Sequence, residues 1–235
     1  MELIRLTERI WYYPCEEERD RPILGYIKGD NWSMAVDAGH SGDHTAEFYE
    51  ALKKEGLPMP RMTVLTHWHW DHTFGMHSVE GLCVSNSLTC EYLKEFKQRI
   101  DSNGINEFLQ LDECIRREYA ANKLVLIVFP DIVFTDELAL DAGNCPIKLF
   151  RCPAPHTDDS TLVWVKNENV LFLGDAAAGV FPTWEKDPEL CRELAETIAD
   201  TNAEICVESH CEPQTASEVI ADLYKAAEHN ICILV

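Results

Sequence analysis

The sequence predicts an α/β chain with two sheets inside and helices outside. Three observations lead there. Short β-branched and aromatic runs dominate the first forty residues and return after residue 124. Segments of helical spacing stand between and after these runs. With 46% hydrophobic and 26% charged residues over 235 positions, the chain can bury a sizeable core. No short repeat, low-complexity tract or Pro/Ser-rich linker divides it. The expected organisation is one domain over residues 1–235, with a helical insert at about residues 87–120.

Ile10–Tyr13, Ile23–Lys28 and Trp32–Val36 read as strands, being short, β-branched or aromatic, and bounded by Pro, Gly, Asp and Asn. Asp43–Lys54 reads as a helix. Asp43 suits its N-cap, Ala46, Phe48, Tyr49 and Leu52 supply apolar positions, and Gly56 and Pro58 end it. Arg61–Thr66 and Gly81–Ser85 are the next strands. Leu88, Tyr92, Leu93, Phe96 and Ile100 then recur near helical spacing until Asn103-Gly104 breaks the run, and a second helix is expected over Ile105–Tyr119. Strands resume at Leu124–Phe129, Ile132–Thr135, Leu138–Leu140, Ile147–Arg151, Leu162–Lys166 and Val170–Leu173. Helices at about Pro188–Thr201 and Pro213–Glu228 flank a strand at Ile205–Glu208.

Lys and Arg number 20 against 41 Asp and Glu, a formal charge of −21. Such a surface repels a phosphate backbone and an anionic membrane, so neither nucleic acid nor membrane is expected as a partner. A small-molecule substrate is expected instead; the oligomeric state is open, and a homodimer is compatible with the sequence. The N-terminus lacks a basic segment followed by a long apolar stretch. The longest apolar run, Leu124–Phe129, falls far short of the ~20 residues that span a bilayer. Ten cysteines include no C-x-x-C. Reduced thiols in a cytoplasmic protein are the expectation.

His67-Trp68-His69-Trp70-Asp71-His72 packs three imidazoles and a carboxylate into six residues directly after a predicted strand. That donor set suits zinc, and also iron or manganese. On an extended segment, side chains two apart face the same way, so His67 and His69 can share one ion, while a turn beyond them lets Asp71 and His72 address a second. His156, Asp175 and His210 each follow a predicted strand, where loops gather into sites. Together these residues supply enough ligands for two ions.

The order of these pieces resembles the metallo-β-lactamase-fold hydrolase superfamily. Val36-Asp37-Ala38-Gly39, Thr66 with the hexapeptide, Ala154-Pro155-His156-Thr157, Leu173-Gly174-Asp175 and Ser209-His210 match its five motifs across nearly the whole chain. The resemblance implies an αβ/βα four-layer sandwich. It implies that His67, His69 and His156 bind a first metal, that Asp71, His72 and His210 bind a second, and that Asp175 bridges them. Asp37 would support the site from behind. His69, where a di-iron electron-transfer branch carries Glu, argues against that branch. The 25 residues after His210 are too few for the C-terminal helical domain of glyoxalase II-type enzymes.

Two divalent ions ~3.5–4 Å apart can hold a hydroxide and polarise a carbonyl or phosphoryl oxygen. Asp71 stands close enough in sequence to orient that hydroxide or move its proton, so it is the catalytic candidate. The chain lacks G-x-S-x-G, G-x-G-x-x-G and a phosphate-binding P-loop. Alternation turns Trp68 and Trp70 away from the ligands, toward the helices. Phe181 and Trp184, after Asp175, are the candidates for a substrate pocket. His40, His44 and His77 fall outside the pattern, and His229 reads as solvated. The expected function is a metal-dependent, dizinc hydrolase of a small ester, thioester, lactone or related carbonyl compound. A mononuclear-iron thiol dioxygenase, a phosphodiesterase and a metal-stabilised sensor or binding protein are the alternatives.

Overall fold

A computed structural model describes residues 1–120 and 124–229; Cys232 and the side chain of His229 lie outside the described residues. Among the described residues, thirteen strands form two sheets. The first holds β1 (Ile4–Arg5), β2 (Ile10–Tyr13), β3 (Leu24–Lys28), β4 (Ser33–Val36), β5 (Met62–Val64), β6 (Leu82–Asn86) and β7 (Ile132–Phe134), side by side in sequence order. Strands β1 to β4 run as an antiparallel meander; β4 to β7 are parallel. Parallel neighbours need crossovers. Helix α1 (Gly42–Lys54) makes the first, the hexapeptide with α2 (Trp70–Thr73) lies in the second, and α3 (Ser87–Asn103), α4 (Ile105–Leu109) and α5 (Glu113–Glu118) lie in the third.

The second sheet runs β13-β12-β11-β10-β9-β8. Its strands are β8 (Glu137–Asp141), β9 (Pro146–Arg151), β10 (Thr161–Val165), β11 (Val170–Gly174), β12 (Ile205–Glu208) and β13 (Gln214–Thr215). Helix α6 (Pro188–Thr201) is the crossover between parallel β11 and β12, and α7 (Ala216–His229) follows β13.

Alternation along the strands builds the layers. Ile10 and Tyr12 on β2 face inward, joining Ile27, Val36 and Val64 against Leu149, Val163 and Phe172 of the opposite sheet. Trp11 and Tyr13, on the other face of β2, pack under Phe48 and Leu52 of α1. In the same way Leu162 and Leu171 turn outward to Leu194 and Ile198 of α6 and to Leu223 of α7. Both sheets are therefore apolar on both faces, and each fully buried aliphatic or aromatic side chain contributes roughly 1.5–3 kcal/mol. The order helix, sheet, sheet, helix is the expected four-layer sandwich.

Several sequence expectations shift. Ser41, not Asp43, caps α1: its Oγ accepts from the His44 N–H. The helix expected over Ile105–Tyr119 is two short ones, α4 and α5, with a fresh cap at Asp112. Leu124–Phe129 is no strand. It pairs with no described strand; Val125 and Ile127 pack on the α3–α5 cluster, while Leu124, Leu126, Val128 and Phe129 are exposed. Its alternation is one-sided burial without a ladder partner. Strands β1 and β13, two residues each, carry too little pattern to be read from sequence.

Asp159, in the turn before β10, is fully buried. Its carboxylate accepts from Thr157 Oγ1 at 2.6 Å and from Thr89 Oγ1 at 2.7 Å. Burial outweighs those bonds and pushes the carboxyl from 3.8 up to about 6. A raised carboxyl favours the fold while protonated, so its contribution is complete below pH 3.8 and is lost as pH rises through about 6. Asp159→Asn is expected to gain on the parent by on the order of 2–3 kcal/mol between those limits. Thermal melts across the window check this; parallel Tm curves for the two proteins would remove the assignment.

Candidate metal centre

The site sits where strand ends of both sheets converge, the usual place for chemistry in open α/β arrangements. Asp37 follows β4, the hexapeptide follows β5, His156 follows β9, Asp175 directly follows β11 and His210 follows β12. Two features close the sheets on each other here. The Thr161 N–H donates to the Thr66 carbonyl at 2.6 Å. At Gly174, with φ +59°, a Cβ would lie 2.6 Å from Thr66, so only glycine lets β11 end against that residue.

His67, His69 and His156 form one group and Asp71, His72, Asp175 and His210 another; within each group the ligand atoms lie within 4.8 Å of one another. The imidazoles of His67 and His69 meet edge to face, with centroids 4.8 Å apart and planes at 74°, and they do so on a bend after β5 rather than on the extended segment expected. His156 closes that group, its Nε2 being 2.9 Å from His69 Nδ1. Its Nδ1–H donates to the Gly179 carbonyl at 2.6 Å, which leaves Nε2 as the inward lone pair.

Asp175 stands between the groups. Its Oδ2 is 3.7 Å from His156 Nε2 and 3.4 Å from His210 Nε2; its Oδ1 is 3.4 Å from His72 Nε2. Asp71 Oδ2 lies 3.0 Å from His72 Nε2 and 3.2 Å from His210 Nε2. Asp37 stands on the opposite side of the His72 ring from Asp71. It sits at φ +65° and accepts from the Thr66 N–H at 2.7 Å, from Thr66 Oγ1 at 2.9 Å and from His72 Nδ1 at 2.8 Å. The last bond fixes the His72 ring so that Nε2 points inward.

Electrostatics divides the two groups. Burial, with the neighbouring imidazoles adding to it, drives His67 far below its ordinary value and His69 down to about 3. In the second group burial would raise Asp71 and Asp175, but the charges of His72 and His210 outweigh it and hold both carboxyls far below the carboxylate range. Burial would likewise lower His72 and His210; Asp71 and Asp175 outweigh it and raise both. Neutral imidazoles and ionised carboxylates ligate a divalent cation, so His67 and His69 stand ready, while His72 and His210, charged beside Asp71 and Asp175, would each give up a proton to an ion that took its place. Buried His67 Nε2, His72 Nε2 and Asp175 Oδ1 form no well-aligned hydrogen bond, the last two meeting only each other at 3.4 Å and, for His72, Asp71 at 3.0 Å. Such orphaned atoms, converging in one place, fit metal ions.

A cavity of about 570 Å³ opens over the two groups, and Phe181 and Trp184 line it. Trp68 and Trp70 pack into the helix layer around Phe96, as alternation suggested, but Trp70 also reaches the cavity wall. His40 and His44 are buried beside the site and lie outside both groups. Sequence reasoning missed Glu17 and Asp20, which line the cavity from the β2–β3 connection; Asp20 Oδ1 is 3.7 Å from His210 Nδ1. Nothing local in Glu16-Glu17-Glu18-Arg19-Asp20-Arg21 distinguishes those two carboxylates from a solvated charge run.

The family model of the metallo-beta-lactamase superfamily matches residues 26–210. A curated relative, the Beta-lactamase-like protein 2 homolog of Caenorhabditis elegans, is 26% identical over 141 residues; the match spans 60% of this chain and 38% of that relative's length. Among solved structures, a metallo-beta-lactamase from Pontibacter korlensis superposes with a TM-score of 0.72 at 16% identity, covering 97% of this chain and 98% of that one. The DIM-1 metallo-beta-lactamase gives 0.70 at 18% identity, covering 98% and 99%. At these identities the likeness to the solved structures is one of fold.

Proposed function

This chain belongs to the metallo-beta-lactamase superfamily, and from that premise we propose that it is a metal-dependent hydrolase of a small ester, thioester, lactone or related carbonyl compound, using two divalent ions, zinc first. The observation that carries the reading is the pair of adjacent ligand groups, with buried orphaned atoms, beneath one cavity. His67, His69 and His156 would hold one ion, Asp71, His72 and His210 the other, and Asp175 would serve both. When bound, such ions supply a water of lowered pKa and a Lewis acid for the substrate oxygen.

The chain's own residues do the rest. Asp71 is an ionised, buried carboxylate at the cavity floor, placed to orient the attacking water and take its proton. Asp37 and the Gly179 carbonyl set the tautomers of His72 and His156, so both rings present Nε2 to the centre. Phe181 and Trp184 exclude water from the substrate side. A cytoplasmic setting belongs to the same reading, supported by nine free cysteines among the described residues. No described helix is long and apolar enough to cross a membrane.

Metal analysis of protein purified without added metal, followed by an ester, lactone, thioester and phosphodiester panel, tests this. About two zincs per chain with turnover of a carbonyl substrate is the expected result. One iron per chain would replace the hydrolase by a thiol dioxygenase. Turnover of phosphodiesters alone would make it a phosphodiesterase, and intact metal without any turnover would make it a binding protein.

A further inference from the structure

Two of the ligand imidazoles are held from behind by acceptors of the fold. Asp37 takes His72 Nδ1 at 2.8 Å, and the Gly179 carbonyl takes His156 Nδ1 at 2.6 Å. His210 points its Nε2 at Asp71 and Asp175, at 3.2 and 3.4 Å. Its other ring nitrogen, Nδ1, faces Asp20 Oδ1 at 3.7 Å. That is the separation of an ion pair, longer than a hydrogen bond. The arrangement nonetheless repeats that of Asp37 and His72: a carboxylate on the nitrogen that faces away from the centre.

The fold fixes where Asp20 stands. Glu16 and Arg21 exchange backbone hydrogen bonds at 2.8 and 3.0 Å and close the loop that carries it. Fully buried His40 donates through Nδ1 to the Arg19 and Asp20 carbonyls, at 2.9 and 3.1 Å. Beyond the loop, the Ile23 N–H donates to the Ser209 carbonyl at 2.7 Å, one residue before His210. The helical insert holds the far side: Glu118 of α5 grips Arg21, and Tyr119 Oη donates to the His40 carbonyl at 2.5 Å. Asp20 itself sits at φ +49° and ψ +48°. Such a turn accepts Gly or Asn equally well, so the turn alone does not call for a carboxylate. Partial burial first, then the charge of Asp71, pushes that carboxyl up to about 7, while His210 draws it back.

We propose that Asp20 is a positioning residue for the second metal: it steadies the His210 ring through Nδ1, as Asp37 steadies His72, and so raises the affinity of that ligand group for a divalent ion. The α5 insert and the β2–β3 connection then serve the metal centre by holding Asp20 in place. This role rests on the two-ion reading of the site and is independent of the substrate.

Stepwise zinc titration of the metal-free full chain against a chromophoric chelator tests it, at pH 8, above the value of about 7 for Asp20. Asp20→Asn keeps the turn and the volume and removes the charge. The second zinc should then bind roughly 10- to 100-fold more weakly, the range for a lost outer partner of a ligand. Asp20→Gly, which also accepts the left-handed backbone, should weaken it at least as much. The first zinc should stay within about threefold of the parent, and Glu17→Gln, which removes a neighbouring carboxylate of the same cavity, should leave both affinities within about threefold. The melting temperature of the metal-free variants should not fall below that of the parent, whereas the rise that zinc produces should shrink. A second zinc held as tightly by Asp20→Asn as by the parent overturns the proposal. Equal weakening of both zincs, or equal weakening by Glu17→Gln, also overturns it, since a structural or a diffuse charge effect would then suffice. A parent chain that takes up only one ion would instead bring down the two-ion reading, and this role with it.

Discussion

Asp71→Asn is expected to lower kcat/KM by roughly two to four powers of ten, the range of a lost general base. The substitution keeps volume and shape in a buried position, so the fold should survive. What goes is one negative charge between His72 Nε2 and His210 Nε2, at 3.0 and 3.2 Å. An amide there can still ligate through its oxygen, but it cannot accept a proton at neutral pH. Steady-state kinetics with metal content measured on the same sample separates the two roles. Metal retained with activity lost assigns Asp71 to proton transfer; metal and activity lost together make it chiefly a ligand. Full activity with full metal content would end the assignment.

Arg21→Ala is expected to destabilise the protein by about 3–5 kcal/mol, the cost of leaving a buried partner uncompensated. Arg21 is fully buried and grips Glu118 with two bonds, Nε to Oε2 at 2.9 Å and Nη2 to Oε1 at 2.8 Å. Its Nη1 reaches Glu47 at 3.1 Å. Ser41, the cap of α1, donates to the same Glu118. For a chain of this size the Tm should fall by roughly 6–20 °C. Arg21→Met with Glu118→Leu should recover most of it, because a matched apolar pair leaves no stranded charge. A single variant that melts within about 1 °C of the parent would contradict this.

The two variants differ in how visible their residues are in the sequence. Asp71 announces itself, because His67, His69 and His72 surround it within six positions and the chemistry of a metal site demands that density. Asp175 and His210 are visible for a related reason: each follows a short apolar, β-branched run that reads as a strand. Arg21 and Glu118 are 97 positions apart, and each stands among like neighbours in a charged run. Only the docking of α5 on the β2–β3 connection pairs them, and no local pattern encodes that. Glu17 and Asp20 escape notice for the same reason. Leu124–Phe129 fails in the other direction: its periodicity is genuine, but pairing depends on a neighbour that the segment itself does not contain.

The ligands are divided between the sheets. His67, His69, Asp71 and His72 belong to the connection after β5, while His156, Asp175 and His210 belong to the strand ends of the other sheet. Each ligand group draws on both. Neither half of the chain can therefore chelate alone with full denticity, and any ion seated there acts as a rivet across the seam. By thermodynamic reciprocity, whatever loosens the seam must weaken ion affinity, and ion affinity must tighten the seam by the same free energy. Ion occupancy is thus a gauge of tertiary closure.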